Sequence, residues 1–234
     1  MVEREAWSMG RGATRPAGAL RMRMIHSKPP ARGWLGWVIR NGLPARGLAR
    51  EVNAWRLRNI PHLWRGFWRI VTARALRIPH ACGALQLAVV RADGQIIDYG
   101  LASLRLVTTA GVNYLVDALQ NLVEPENFRF HGIGTGSTAE AVGDTALVTE
   151  LTTQYSPDNT RATGSLTEGA SANIYRTVGT NTVDAAVGIQ EHGILTQAAT
   201  GGGTLLDRSV FSVINLANGD SLQSTYDFTI NSGG

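Results

Sequence analysis

The chain is poor in the residues that carry covalent and metal chemistry. It has one cysteine, Cys82, which excludes an intrachain disulfide and any multi-cysteine zinc site. Its five histidines show no HxxxH or HExxH spacing and no accompanying carboxylate cage, so a catalytic metal is not expected. Charged residues make up only 17% of the chain, and Lys28 is the single lysine. No run reaches the roughly 18 apolar residues of a membrane-spanning helix. The opening MVEREAWSMGRG lacks the apolar centre of a secretory signal. No repeat of roughly 20–50 residues is present.

What is present is unevenly placed. All six tryptophans (Trp7, Trp34, Trp37, Trp55, Trp64, Trp68) lie before residue 70. Residues 1–84 hold sixteen of the 22 Lys+Arg and three of the 18 Asp+Glu, a net of about +13. Residues 85–234 hold six basic and fifteen acidic residues, a net of about −9. The two segments differ in character, and the pattern reads as a basic Trp/Arg-rich arm over residues 1–83 joined to a mildly acidic body over residues 84–234.

In the arm, residues 1–33 are rich in Gly, Pro and Arg without periodicity and read as extended. Helical pieces broken by Gly42, Pro44 and Gly47 follow. One helix is expected over about 48–58, with Leu48, Val52 and Trp55 on one face. A second is expected over about 62–78, bounded by Pro61 and Pro79. In it Trp64, Trp68, Val71, Ala75 and Ile78 form an apolar stripe, widened by Leu63, Phe67 and Ile70 and flanked by Arg65, Arg69, Arg74 and Arg77.

The body reads as mainly β. Low charge with 27 glycines suits many short strands and tight turns. Strands are expected over 84–90, 95–99, 101–107, 174–183, 189–196, 208–216 and 221–230, with a further one around Phe128, Phe130 and Gly132. Ala92-Asp93-Gly94 and Asn218-Gly219 are hairpin signals, the latter the stronger. Thr108-Thr109 offers an N-cap for a helix over 110–122, with Val112, Leu115, Val116 and Leu119 on one face. A surface loop is expected over 132–143 and a short helical turn from Asp144 to Leu151. The architecture predicted is an antiparallel β-sandwich, jelly-roll-like, with one or two short helices and the basic arm in front.

Candidate chemistry is thin. His131-Gly-Ile-Gly-Thr-Gly-Ser lacks the Lys-Ser/Thr ending and the helical context of a phosphate loop. Glu191 and His192, neighbours on a strand, point to opposite faces and do not converge; one inward and one outward side chain is the reading. Asp207-Arg208 shares that limit and suits a turn or an ion-paired subunit contact. Ser209 and Ser212 have no nucleophile elbow around them. Cys82 reads as a small hydrophobe at the junction of arm and body, since a reactive thiol needs a partner such as His80 held against it. The arm is the stronger signal, with Trp55, Trp64, Arg65, Phe67, Trp68, Arg69, Arg74 and Arg77 as candidate partner-binding residues. Trp and Arg are enriched at interface hot spots. Nucleic acid, an anionic membrane and the chain's own body are the competing destinations.

Several stretches together resemble a family of small tailed-bacteriophage virion proteins. They are GALQLAVVRADGQIIDYGL, LVTTAGVNYLVDAL, FHGIGTGSTAEAVGDTAL, EHGIL and GGTLLDRSVFSVINLANGDSLQSTYDFTINSGG, in that order over about residues 83–234. Gly134-Thr135-Gly136 followed by Asp144-Thr145-Ala146-Leu147 is typical, as is the block from Thr204 to the Asn231-Ser232-Gly233 end. Such proteins are described as capsid decoration (cement) proteins and as tail- or fibre-associated proteins. The resemblance implies a jelly-roll-like body, assembly as a trimer, no enzyme activity and no cofactor. It implies the major capsid protein and further copies of the chain as partners, on the outer capsid surface, without specific nucleic acid or membrane binding. A tail, neck or fibre-associated adhesion protein is the alternative. The arm lies outside the resemblance.

Overall fold

Alternating apolar and polar residues sort the long strands into two facing sheets. The computed structural model describes residues 47–232; the extended arm expected over residues 1–33, and the broken helical pieces ahead of Gly47, lie outside the described residues. A long helix, α1 (Leu48–Ala75), leads into β1 (His80–Val90) and β2 (Ile96–Leu106). A short helix α2 (Thr109–Leu119), a single 3-10 turn (Pro125–Asn127) and β3 (Phe130–Gly134) follow. Next come the short β4 (Ala162–Thr163) and β5 (Thr167–Glu168), then β6 (Ile174–Thr182), β7 (Val187–Leu195), β8 (Leu205–Leu216) and β9 (Ser221–Asn231). The strands form two antiparallel sheets, ordered β2-β1-β9-β6-β5 and β4-β3-β7-β8. The expected mainly-β sandwich is the fold.

The core lies between the sheets. Leu85, Leu87 and Val89 of β1 alternate inward and meet Ile133, Ile189, Phe211 and Ile214 of the other sheet. On β9, Leu222, Tyr226 and Phe228 share the inner face as the period of two predicts. Ile230, expected on the same face, is exposed at the strand's end. Val107, Phe128, Ile194 and Leu206 close one end of the sandwich together with Tyr226 and Phe228.

Several local expectations are corrected. Asn218-Gly219 does form a tight turn, with Gly219 at φ 83°, but it does not make a hairpin. It carries the chain from β8 in one sheet to β9 in the other. Asp220 holds this crossing, accepting from the Ala217 and Ala92 backbone N–H groups (2.7 and 3.1 Å) and from Arg91 (2.5 Å). Ala92-Asp93-Gly94 is a true hairpin turn between β1 and β2. The strands expected over 95–99 and 101–107 are one strand, β2. The glycine-rich segment expected as loop from residue 132 is β3 as far as Gly134. No helix starts at Asp144; its carboxylate accepts from the Ala141 N–H and pairs with Arg208.

The helices also differ from expectation. Thr108 caps α2 as predicted, its hydroxyl accepting from the Gly111 N–H at 2.9 Å. The two helices expected on either side of Pro61 are the single α1, with Pro61 inside it. The missing N–H and ring clash of a helical proline cost about 3 kcal/mol, and that cost is met here by docking: the helix lies along β2 and β8, with four residues buried. The boundary expected between residues 83 and 84 falls inside β1. α1 belongs to the same compact unit as the sandwich, Pro44–Gly234.

Candidate functional site

α1 has two distinct halves. Its N-terminal half closes the sandwich where β2 and β8, each the outer strand of its sheet, lie side by side. Outer strands present unpaired N–H and C=O groups that need covering. Trp55 is 2% exposed, stacks edge-on against Tyr99 at 4.9 Å and donates its indole N–H to the Ser212 carbonyl of β8 at 2.6 Å. Asn59, one turn further, donates to the Ala102 carbonyl of β2 and accepts from the Ser212 N–H of β8. Arg56 donates to the Asp98 and Tyr99 carbonyls. The helix thus supplies both outer strands with hydrogen-bond partners. Trp55, expected as a partner-binding residue, is an anchor of the chain's own helix.

Gly66 lets the next turn approach the sheet. A Cβ there would overlap the Leu104 carbonyl. Arg105 strengthens this contact by donating to the His62 carbonyl at 2.8 Å while its guanidinium pairs with Glu140.

On either side of Gly66 the helix turns its aromatic residues outward. Trp64, Phe67 and Trp68 are 49%, 44% and 49% exposed. Their rings pack on one another with centroids 5.3–6.2 Å apart. Arg65, Arg69, Arg74 and Arg77, on the same stretch of chain, are also exposed. Of the predicted stripe, Val71 is half-buried, whereas Ala75 and Ile78 face solvent. The structure therefore brings together seven of the eight predicted partner-binding residues on the outer half of α1 and just beyond its end. The sequence reading missed Asn59 and Gly66. Their signal was a polar residue and a glycine continuing the buried line of Val52 and Trp55, each where an apolar side chain would be expected.

The second exposed apolar face is on α2. Of its predicted apolar face, Leu115 leans on the core, while Val112 and Val116 face solvent. Leu119 is 89% exposed, and Leu122, just past the helix, 68%.

The buried ionisable groups of β7 are held within the fold. Glu191 and His192 do point to opposite faces of β7, but both are buried, contrary to the expectation of one outward side chain. The loop after β3 covers the Glu191 side. Glu191 accepts from the backbone N–H groups of Gly136, Val148 and Thr149 (2.7–3.0 Å) and from Arg208 at 2.9 Å. Gly134 and Gly136 allow this, since a Cβ at either would collide with that carboxylate side chain. Arg208 also binds Asp144 and the Thr138 carbonyl, so this ion pair is internal. His192 lies on the core side, 3.0 Å from His131, which in turn meets Thr177 at 3.0 Å. Burial pushes His131 down to about 3. His192 is driven well below its usual value by burial and by His131.

Asp207, neighbour of Arg208, points the other way. Its carboxylate is buried beside the Tyr226 hydroxyl and the Gly83 backbone. Neither group reaches a partner in hydrogen-bonding geometry, but their contact and the burial govern both titrations. Asp207 is pushed up to about 7 by burial, partly countered by Tyr226 and Arg105. Tyr226 is driven far above its usual value by burial and by the Asp207 charge.

Cys82 is half-buried and its thiol is pushed up by burial, the opposite of an activated thiolate. His80 turns its Nε2 to Asn231 at 3.3 Å and its Nδ1 to the Ile78 carbonyl at 2.9 Å. Among the described residues no three His, Cys, Asp or Glu side chains gather as a metal site, and no helix is long and apolar enough to cross a membrane.

No known protein family, curated protein or solved structure matches this chain.

Proposed function

We propose that the chain is a structural protein of a tailed-bacteriophage virion, of the capsid decoration (cement) type, acting by binding rather than by catalysis. The observation that carries this reading is the exposed Trp64–Phe67–Trp68 cluster, on a stretch with four exposed arginines, held on a helix that is itself fastened to the sandwich. An aromatic side chain offers a large contact area with little entropy to lose, and arginine adds charge-assisted bonds at the rim. The sequence resemblance over residues 83–234 supplies the virion context and the major capsid protein as partner.

The proposed action is mechanical. Several copies on the outer capsid surface grip neighbouring capsid subunits. The basic N-terminal segment adds contacts, and simultaneous engagement raises avidity without new chemistry. Binding only the assembled shell stabilises it by mass action. The engagement of Glu191, Arg208, His131 and His192 within the fold supports a non-enzymatic role, because each already serves packing.

The test is binding of the full-length chain to purified shells that lack it. Saturable binding is expected. A stable oligomer that ignores shells would move the reading to a tail, neck or fibre component.

A further inference from the structure

We propose that the aromatic cluster on α1 seats in an apolar groove beside α2 on a second copy of the chain, so that copies join head-to-tail. This rests on the reading of α1's outer half as a partner-binding surface; it gives that surface to a second copy and leaves the grip on the shell to the basic N-terminal segment.

The groove is the receiving half. It is lined by Leu115, Pro125, Phe128, Leu166, Tyr175 and Phe228, and its volume is about 460 Å³. That size lies within the range of clefts that hold bulky apolar groups. Next to it, Val112, Val116, Leu119 and Leu122 extend the apolar surface outward. Single exposed apolar residues are ordinary; a groove continuing into an exposed helical face marks an interaction site.

Charge selects the occupant. Residues 109–128 contain Asp117, Glu124 and Glu126 and no basic residue. The segment 164–175, which forms the other wall, contains Glu168 and no basic residue; Arg129, next to Phe128, acts on Tyr175 at the groove's edge, and Arg176 is paired with Asp227. Residues 62–78 of α1 and its exit contain Arg65, Arg69, Arg74 and Arg77 and no acidic residue. An aromatic knob on a basic stretch of helix and an apolar groove lined by Glu126, on segments whose acidic residues outnumber the basic, are complementary in character and in net sign. Packing α2 against α2 would instead set Asp117, Glu124 and Glu126 against their own copies. The arrangement that satisfies both faces uses two different surfaces of one chain. It is heterologous, and such contacts close into rings when the rotation allows.

The test is the mass of the full-length chain in solution by analytical ultracentrifugation, together with shell co-sedimentation. The wild type is expected to be oligomeric at micromolar concentration, and Trp64→Ala with Trp68→Ala to be monomeric. Both tryptophans are half-exposed, so their replacement spares the core. Arg65→Glu with Arg69→Glu, or Glu124→Arg with Glu126→Arg, should each weaken assembly at least about tenfold, and combining the two pairs should restore most of it. A monomeric wild type, an oligomer untouched by the tryptophan changes, or a combined variant no better than either pair overturns the proposal. If the tryptophan variant stays oligomeric but loses shell binding, the cluster faces the shell; the inference falls while the cement reading stands. If assembly follows the predicted pattern and shells are never bound, the reverse holds.

Discussion

The Asn59 side-chain amide and the Ser212 backbone N–H meet at 2.9 Å across the open edge of the sandwich. The same amide donates to Ala102 on the other sheet at 2.7 Å, so one helical residue ties two outer strands that do not pair with each other. Asn59→Ala leaves a part-buried N–H and a buried C=O without their side-chain partner. A loss of about 2–6 kcal/mol is expected, from roughly 1–3 for each of the two orphaned groups. Urea unfolding measures it. A loss under half a kcal/mol would mean that water replaces the amide and that the helix is not the closure described.

Gly66→Ala separates packing from propensity. On an exposed helix this change gains about 1 kcal/mol. Here the new methyl meets the Leu104 carbonyl, so the helix has to lift, and a loss above about 3 kcal/mol is expected. Trp55 reports it independently, because lifting α1 wets a tryptophan that is now buried and shifts its fluorescence to the red.

Glu191→Ala removes the acceptor of three backbone N–H groups and the more buried of the two carboxylates that pair with buried Arg208, leaving it Asp144 and the Thr138 carbonyl. Breaking a buried pair from one side costs about 3–5 kcal/mol. The loop over residues 135–149 should become the first site of limited proteolysis, since its anchor is gone.

Two sets of buried groups give the stability–pH profile opposing slopes. Asp207 binds its proton more tightly when folded, with its value raised to about 7 against about 3.9 unfolded. Its contribution is fully present below about pH 4 and is lost as pH rises through about 7. His131 and His192 are lowered, so their contribution is present above about pH 6.5 and is lost on acidification. Asp207→Asn should therefore flatten the decline between about pH 4 and 7 and be relatively more stable than wild type at pH 8 than at pH 5. Urea midpoints at the two pH values check the sign. An unchanged difference between them would place the Asp207 proton elsewhere.

Much of the sandwich was legible because strand alternation is a local signal: Leu222, Tyr226 and Phe228 announce their face wherever β9 pairs. The Asn218-Gly219 turn was legible as a turn only. Its dihedrals are local, but whether the next strand stays in the sheet depends on Asp220 holding the crossing to Ala92, more than a hundred residues away in sequence. Pro61 misled for a similar reason. Proline's helix-breaking tendency is local, while the docking of Val52, Trp55, Asn59 and Gly66 on β2 and β8 is tertiary. Burial of Glu191 needed a loop folded over the outer face of β7, which no period along the strand encodes. On the candidate surface, the aromatic and arginine positions were readable from spacing. Which aromatic faces inward was not: Trp55 and Trp64 have similar neighbours in sequence and opposite exposure in the fold.

Co-sedimentation with purified shells lacking this protein tests the central claim most directly, using the full-length chain beside a chain begun at Pro44. Saturable binding by the full-length chain and weaker binding without the basic segment are expected, with both forms folded. A folded full-length chain that leaves the shells bare at every concentration tried would contradict it.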